Sequence, residues 1–487
     1  MIHSAFTNWQ SPYLRVLNDD QIFEIRQAAF AILEQAGCKI MHEGARKMLA
    51  DAGAVVNGEI VKLPRHIAEQ CLATCPKGFR IYDRDGKNYL EVEGSKSFYG
   101  TATASPNTQD ALTGEIHETR VVDIEYGAKV ADACENIDWV MPFGSSQDVP
   151  AVAADLYEFE AVVKNTTKPI VFCGYSSRGV ELVYQMAAEV AGGMDNLRAK
   201  PFLVGYPEPI TPLTYPAEVV ERMLVTAEAG QPQIPCGAQQ PGATSPITLA
   251  GTIAQATAEN LMSIVIIQLK RQGAPVFMGC NIGGCNMDTG LMSMVPPEAS
   301  LGLSAQTQVA RSFGLPSWGL AGATDSKLID AQAGAEAALS LLAQGMAGLN
   351  FIHDSGYIDM GMICSTEMLV LSNELIGWVK RFMDGIQVNR DTLATEIIEQ
   401  VGPGGNYLAT RHTLERFRKE YWRPKLFTRK AYATWKSEGG SDMRDRLHAA
   451  VKEIIDTHEV EQLPDKTLTA IAELRSEGEK ELVAKAD

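Results

Sequence analysis

Apolar residues at helical spacing predict a small helical region at the start of the chain. Asn18 can cap a first helix that Gly37 ends, because the apolar residues between them recur on one helical face. A second helix is expected over residues 43–51 and a third from Pro64, and Asp85-Gly86 fits the turn of a β-hairpin. We therefore predict a first region, residues 1–96, made of helices and one hairpin.

From residue 97 the pattern changes to short apolar runs, each followed by a longer run with helical periodicity. The eight strand candidates are SFYGTAT (97–103), DWVMPFG (138–144), PIVFCG (169–174), PFLVG (201–205), QIPCG (233–237), PVFMG (275–279), PSWGL (316–320) and NFIH (350–353). This alternation predicts an α/β fold, a (β/α)₈ TIM barrel over residues 97–384. The alternative is an open doubly wound sheet, which needs fewer strands and usually a glycine-rich phosphate turn.

The remaining tail, residues 385–487, is richer in charge and reads as helical. We expect it to be a helical C-terminal extension that packs against the barrel or against a neighbouring subunit. Whether the protein forms a homo-oligomer therefore stays open.

Composition narrows the class of protein. The hydrophobic fraction of 45% and the charged fraction of 21% are those of an ordinary folded enzyme. The net charge of −17 argues against nucleic-acid binding and against an anionic membrane surface, since both require basic patches. No run approaches the ~20 apolar residues of a membrane span, and residues 1–21 lack the pattern of a signal peptide. Nine scattered cysteines fit reduced thiols, so we expect a cytoplasmic protein.

Catalytic groups of such a barrel should lie at the carboxyl ends of its strands. Those positions are rich in glycine, aromatic and uncharged polar residues and poor in paired carboxylates, which argues against a glycosidase. Nucleophile-elbow, P-loop and HExxH motifs are missing from the sequence, and GCNIGG (279–284) lacks the spacing of a dinucleotide site.

Two alternatives for these strand ends remain. Cys236, Cys280, Cys285 and His353 offer zinc-ligand chemistry, although their spacing matches no known zinc pattern and packing is the better interpretation. Aromatic residues near the same ends could instead form a pocket for a quaternary ammonium cation, which donates no N–H hydrogen bond and is attracted to ring faces. The aromatic candidates are Tyr99, Phe143, Tyr175, Tyr206 and Tyr357.

Three stretches resemble the trimethylamine methyltransferase family. They are QQPGATSPITLAGTIAQATAENL (239–261), DSKLIDAQAGAE (325–336) and GPGGNYLATRHT (402–413), which RPKLFTR (423–429) follows. The resemblance runs in order over nearly the whole chain. Every position is an ordinary amino acid, so the chain looks like the branch without pyrrolysine, which includes glycine betaine methyltransferases.

The resemblance implies a methyltransferase that moves a methyl group from a quaternary amine to Co(I) of a separate corrinoid protein. Glycine betaine, yielding dimethylglycine, is the first choice, with proline betaine, carnitine or trimethylamine as alternatives. The cobalamin would belong to the partner, so we expect no tightly bound cofactor and no metal in this chain. A zinc-dependent barrel methyltransferase and a non-enzymatic betaine-binding protein are the competing functions.

A betaine also carries a carboxylate, which needs a donor once water is excluded. His353 ends the eighth strand candidate and is our candidate for that donor. The other predicted substrate-binding residues are Gln239 and Asn281 as weaker polar groups, Tyr357 as the residue that closes the pocket, and Tyr99, Phe143 and Tyr206 around the cation.

Overall fold

The computed structural model describes residues 11–486. Residues 1–10, which form about half of the segment tested for a signal peptide, lie outside the described residues, as does residue 487. The helices are α1 (Asp19–Gln35), α2 (Glu43–Asp51), α3 (Arg65–Thr74), α4 (Val121–Ala133), α5 (Ala154–Asn165), α6 (Ser177–Ala191), α7 (Met194–Ala199), α8 (Ala217–Ala229), α9 (Leu249–Lys270), α10 (Pro297–Ser312), α11 (Ala331–Ala347), α12 (Thr366–Met383), α13 (Arg390–Leu393), α14 (Thr395–Val401), α15 (Arg411–Glu420), α16 (Tyr432–Ser437), α17 (Met443–Thr457) and α18 (Asp465–Ala486).

The strands are shorter than the helices. They are β1 (Cys38–Ile40), β2 (Val55–Asn57), β3 (Ile60–Lys62), β4 (Phe79–Tyr82), β5 (Tyr89–Val92), β6 (Phe98–Thr101), β7 (Asn107–Gln109), β8 (Ile116–Glu118), β9 (Ile170–Phe172), β10 (Leu203–Gly205), β11 (Thr214–Tyr215), β12 (Met278–Gly279), β13 (Gly284–Cys285), β14 (Met292–Ser293), β15 (Ser317–Leu320), β16 (Phe351–Ser355), β17 (Tyr357–Ile358) and β18 (Ile363–Ser365). Two single 3₁₀ turns, Ala151–Ala153 and Asp359–Gly361, complete the set.

All eight strand candidates of the sequence take part in one cycle of parallel pairings, which we call the ring. Strands β12, β15, β16 and β6 form one parallel sheet, and β9 and β10 form a second. Single parallel bridges link these sheets, from Gly100 to Trp139, Val140 to Ile170, Gly205 to Gln233 and Gln233 to Val276. The predicted α/β class is confirmed. Each pairing joins two segments that are consecutive in the chain, except for the pairing of β16 with β6, which joins the last segment to the first.

The ring is not a continuous sheet, and the sequence contains the reason. The second and fifth candidates, residues 138–144 and 233–237, pair only through bridges. They contain Pro142 and Pro235, which have no N–H to donate to a neighbouring strand. The long strands expected there are therefore reduced to one or two paired residues.

Side chains on alternate residues of the ring point to opposite faces, as the pleat requires. The inner face is filled by a separate buried cluster in which aromatic rings dominate. Trp139 and Phe351 stack with ring centroids 5.0 Å apart and ring planes 9° apart. The ring centroid of Phe277 lies 4.9 Å from that of Phe351, and the centroid of Trp318 lies 5.6 Å from that of Trp139. The outer face packs against the helices through Ile170, Leu203, Ile352 and their neighbours.

The N-terminal region matches the expectation at the level of its elements. α1 begins after the Asn18 cap, α2 and α3 lie where predicted, and β4 and β5 form the hairpin. The sequence did not predict the sheet β11-β1-β3-β2, which ties this region to the loop after β10. Ile81 and Val92 of the hairpin belong to the inner cluster, so the hairpin covers the end of the ring where its strands begin.

α9 is long and apolar enough to cross a membrane by length and composition, but 89% of its most apolar window is buried inside the protein. Its apolar character therefore fits a core helix, and the cytoplasmic location stays a prediction. At the C-terminal end, α17 contributes Leu447 and Val451 to the main core, and Ile471 and Leu482 of α18 join the same core.

The inner aromatic group should contribute strongly to stability. We expect Phe351→Ala to lower the free energy of unfolding by about 3–5 kcal/mol, because it removes a fully buried ring from the centre of the group. The matched control is Phe23→Ala on α1, whose ring is 56% exposed and whose loss should cost less than about 0.5 kcal/mol. Chemical denaturation of both variants measures the difference, and equal losses would contradict the prediction.

Candidate active site

Polar side chains from three ring segments meet around Asn281, which lies just beyond β12 at the carboxyl end of the ring, the mouth. Trp318 of β15 donates its indole N–H to Oδ1 of Asn281 at 2.9 Å. The amide nitrogen Nδ2 of Asn281 bonds to the hydroxyl of Tyr206 and lies 3.4 Å from Oε1 of Glu208, both in the loop after β10. Asn281 thus fixes the orientation of two aromatic rings and one carboxyl group.

His353 joins this group because it lies two residues beyond Phe351 on β16 and so points to the same inner face. Its ring stacks on Trp318 with centroids 4.2 Å apart and planes 22° apart, and lies 6.3 Å from the ring of Tyr206. Nε2 of His353 is 3.5 Å from Oδ1 of Asn281. Nδ1 is 2.7 Å from Oδ1 of Asp354, but the two groups are not oriented as a hydrogen bond. Among the predicted residues, His353, Tyr206 and Asn281 therefore come together.

Asp354 occupies a strained position beside His353. The register between β16 and β6 shifts between Ile352 and Ser355, and within this bulge Asp354 has a φ of 93°. Its side chain is fully buried, and neither carboxyl oxygen has a hydrogen-bond partner among residues 11–486. A buried carboxyl group without a donor is costly, and strain of this kind concentrates at functional sites.

Glu208 brings a second acidic group to the mouth. Burial raises the pKa of its carboxyl group to about 7, and the nearby Asp354 carboxylate adds to this rise, whereas Asn281, Tyr206 and Arg222 oppose it. The mouth therefore holds two acidic groups whose charges influence each other, which the residues at the strand ends did not indicate. Glu208 lies in the loop after β10 and Asp354 in the bulge of β16, so nothing in their sequence spacing indicates that their charges interact.

A further acidic cluster lies at the ends of the second and third ring segments. Glu158 of α5 accepts hydrogen bonds from the Ser146 backbone at 2.9 Å and from the Tyr175 hydroxyl at 3.1 Å, and burial raises its pKa to about 7. Burial likewise raises the pKa of Asp155 to about 6. Tyr175 thus lies at the mouth with its hydroxyl bonded to a carboxyl group.

Tyr99 and Phe143 are not brought to the group around Asn281. Tyr99 lies on β6 but points to the outer face, where its hydroxyl would collide with any side chain at Gly345 of α11. Phe143 is fully buried against Gly127 of α4 and Gly356. We therefore correct both assignments: the alternation of the strand turns Tyr99 outward, and the chain after Pro142 carries Phe143 into the helical layer.

Gln239 and Tyr357 are buried near the mouth, but their polar groups are engaged by other parts of the protein. Gln239 donates from Nε2 to Glu259 of α9 at 2.6 Å, which leaves its Oε1 without a partner in the described chain. The Tyr357 hydroxyl bonds to the backbone carbonyl of Thr103 and accepts the Thr103 N–H at 3.0 Å. Tyr357 therefore joins the loops after the first and last ring segments.

The cysteines do not assemble a metal site with His353. Cys236 and Cys280 are fully buried, Cys285 lies in the β13–β14 hairpin, and all nine cysteines are free. Within residues 11–486 the one group whose ligand atoms are close enough to hold a metal ion is Asp110, His117 and Asp123. That group already binds the guanidinium of Arg120, 3.2 Å from Asp123 and 3.4 Å from Asp110.

Sequence reasoning missed four residues of the site: Glu208, Asp354, Trp318 and Arg222. Trp318 could have been found from the two-residue alternation within its strand, which turns it inward. Arg222 lies on α8, where it donates to the carbonyl of Gly174 and has a buried Nε without a described partner. Because it reaches the mouth from a helix, inspection of strand ends could not find it.

Each of the eight loops that leave the mouth carries at least one exposed large apolar side chain. In ring order they are Leu112, Val152, Tyr175, Ile210, Ile247, Met287 with Leu291, Leu328 and Met362. Their exposed fractions run from 38% for Val152 to 72% for Met287. We call this set the apolar rim. Exposed apolar surface concentrated around a site is typical of a protein-interaction surface.

Comparisons with known proteins identify the family. A family model described as trimethylamine methyltransferase (MTTB) matches residues 4–481. The glycine betaine methyltransferase of Desulfitobacterium hafniense (strain Y51) is 32% identical over 446 residues, which cover 91% of this chain and 93% of that protein. The trimethylamine methyltransferase MttB of Methanosarcina thermophila is 30% identical over 461 residues, which cover 92% of this chain and 94% of that protein.

A solved structure shows the same fold. The Methanosarcina barkeri monomethylamine methyltransferase (MtmB) superposes with a TM-score of 0.53 over 90% of this chain and 87% of that protein, at 11% sequence identity. At this identity the likeness concerns the fold alone.

Proposed function

This chain belongs to the trimethylamine methyltransferase family and is a methyltransferase, and on that premise we propose that it transfers a methyl group from a quaternary amine to Co(I) of a separate corrinoid protein. Glycine betaine is the proposed substrate and dimethylglycine the product. The ring is proposed to be a (β/α)₈ barrel spanning residues 97–384, with the N-terminal region and the C-terminal extension attached to it.

The observation that carries the proposal is the presence of two acidic groups and of aromatic rings at the mouth. Glu208 and Asp354 supply negative charge, and Tyr206, whose ring centroid lies 5.2 Å from that of Trp318, supplies an aromatic ring. A trimethylammonium group has a positive charge without any N–H, so carboxylates and ring faces are the groups that attract it. The oxygens of Asp354, which have no hydrogen-bond partner in the described part of the chain, fit this task, since a bound cation would offset the cost of burying them.

The leaving group supports a quaternary substrate. When Co(I) attacks the methyl carbon, the C–N bond breaks and nitrogen keeps the electron pair, so a quaternary amine leaves as a neutral tertiary amine. Trimethylamine itself would leave as an amide-like anion unless it were activated, and every residue here is an ordinary amino acid. The similarity to a glycine betaine methyltransferase agrees with this preference. The work of the protein is then to orient the methyl group and to exclude water.

The apolar rim supports the proposed partner. A corrinoid is too large to enter the ring interior, which buried aromatic side chains already fill. The corrinoid protein must therefore present its cobalt at the mouth, and the eight loops around that mouth all expose apolar surface. Cobalamin would be held by the partner, so the expectation of no tightly bound cofactor in this chain stays a prediction.

The central experiment mixes the purified protein with glycine betaine and a corrinoid protein in the Co(I) state. We expect the cobalt spectrum to change as the methyl group arrives, and dimethylglycine to accumulate in equal amount by mass spectrometry. Carnitine, proline betaine and trimethylamine serve as substrate controls. Failure with every one of these amines would contradict the function, and zinc bound one per chain and lost together with activity would favour the zinc-dependent alternative.

Substrate affinity should depend on pH through Glu208. With a pKa of about 7, Glu208 is mostly neutral at pH 6 and must lose its proton before it can attract a cation. We expect the affinity for glycine betaine to rise by up to about ten-fold per pH unit below pH 7 and to level off above pH 8. In Glu208→Gln the rise should disappear and affinity should remain low. Calorimetry between pH 5.5 and 8.5 measures the affinity of each protein for glycine betaine. The control is Glu59→Gln in the exposed β2–β3 turn, which should keep the pH dependence of the wild type.

The proposed role of His353 concerns the carboxylate of the substrate. Choline shares the trimethylammonium group but has a hydroxyl in place of the carboxylate. We expect His353→Ala to weaken glycine betaine binding by about 1–3 kcal/mol and choline binding much less, since only betaine loses a charge-assisted partner. His353→Gln, which keeps a donor, should recover part of the loss. Equal losses for both ligands would remove His353 from the carboxylate end and leave it a role in the aromatic stack.

A further inference from the structure

The side chain of Arg222 differs from every other basic side chain in residues 11–486. It starts on α8, and its Nη1 donates to the carbonyl of Gly174, which ends the third ring segment. Its Nε is buried without a hydrogen-bond partner, and no other lysine or arginine of the described chain leaves a buried nitrogen in that state. Arg84 is more deeply buried, yet all three of its guanidinium nitrogens have acceptors. Burial alone therefore does not explain the condition of Arg222.

The guanidinium group of Arg222 has one engaged edge and one unused edge. Nη1 holds the carbonyl of Gly174, whereas neither Nε nor Nη2 has a hydrogen-bond partner in the described chain. The N–H bonds of Nε and Nη2 point in the same direction and form a fork that matches the two oxygens of a carboxylate. The contact with Gly174 thus holds the fork in place without occupying it.

The positive charge of Arg222 has no direct counter-ion. Asp155, Glu208 and Glu218 are near enough to act on this charge, but none of them forms an ion pair with the guanidinium within residues 11–486. Burial lowers the pKa of the guanidinium, and Cys173 and the three carboxyl groups oppose this change. A guanidinium nevertheless stays charged in proteins, so a partly buried positive charge remains without a partner.

This charge lies on the side of the mouth formed by the third and fourth ring segments. The guanidinium bonds to the residue that ends the third segment, and α8 follows the fourth. Its neighbour Cys173 packs against the inner aromatic cluster, and its positive charge opposes the rise in the pKa of Glu208. In a ring of eight segments this side faces the seventh and eighth, which carry Trp318 and Asp354. A positive charge therefore lies across the mouth from Asp354.

A betaine carries opposite charges at its two ends. Its trimethylammonium group suits the carboxyl groups and rings described above, and its carboxylate requires a donor once water is excluded. We propose that the unused edge of Arg222 binds the carboxylate of the substrate and so selects zwitterionic betaines over quaternary amines that lack a carboxylate. The inference rests on the proposed function, which supplies the trimethylammonium end. Each carboxylate oxygen accepts more than one hydrogen bond, so Arg222 and His353 are compatible partners of the same group.

The test compares glycine betaine with choline, which has a hydroxyl in place of the carboxylate. Arg222→Gln removes the charge, and Arg222→Lys keeps the charge but loses the fork. The matched control is Arg198→Gln on α7. Arg198 also donates to a backbone carbonyl, that of Ala229 at 3.3 Å, but Ala229 ends α8 just before the fifth ring segment begins, away from the mouth. Calorimetry measures the affinity of each protein for both ligands, and thermal unfolding checks that each variant is folded.

We expect the wild type to bind glycine betaine at least about ten-fold more tightly than choline, because only the betaine pairs with the guanidinium. Arg222→Gln should weaken betaine binding by at least about ten-fold. The same variant should bind choline as well as the wild type or better, since a charge that repels the cation is gone. Arg222→Lys should keep part of the preference for betaine, and Arg198→Gln should keep all of it.

Three results would overturn the inference: a wild type that binds choline as tightly as betaine, an unchanged betaine affinity in Arg222→Gln, or equal losses for both ligands in that variant. Equal losses would assign the guanidinium a structural role at Gly174. The wild-type comparison decides the matter even if a variant does not fold. Methyl transfer from glycine betaine by the wild type, together with unchanged selectivity in Arg222→Gln, would contradict this inference alone. A wild type that transfers no methyl group from any quaternary amine would contradict the proposed function itself.

Discussion

The stacking of aromatic side chains inside the ring is the interaction on which the site depends. Trp139, Phe351 and Trp318 fill the interior, and His353 continues the same stack toward the mouth by lying on Trp318. Since side chains alternate along β16, the burial of Phe351 obliges His353 to point inward two residues later. The indole of Trp318 also anchors Asn281, which in turn holds Tyr206. Packing and site geometry are therefore two results of one arrangement.

The site stores unfavourable electrostatics above this stack. Asp354 is fully buried in a strained backbone conformation, and residues 11–486 provide no hydrogen-bond donor for its oxygens; burial raises the pKa of Glu208 to about 7. A protein selected only for stability would not keep two such groups together, because each charge is costly away from water. A cation bound beside them would relieve part of this cost, which agrees with the proposed positively charged substrate. Under that proposal, the stability given up here would contribute to the affinity for the ligand.

The apolar rim is spread over eight loops around the mouth. Loops vary more readily than the strands that support them, so the shape of this surface can be adapted to a partner while the ring beneath it keeps the geometry of the site.

The sequence by itself determined the local elements, because helix periodicity, the Asn18 cap, the Asp85-Gly86 turn and the eight apolar runs depend on residues close together in the chain. It also indicated the family and placed His353, Tyr206 and Asn281 at strand ends that the structure brings together. Only the tertiary structure decided which way Tyr99 and Phe143 point, since prolines shorten the strands and the alternation cannot be anchored without the partner strands. The influence of the Asp354 charge on Glu208 and the approach of Arg222 from a helix to the carbonyl of Gly174 involve residues far apart in the chain. Such contacts exist only once the ring has closed.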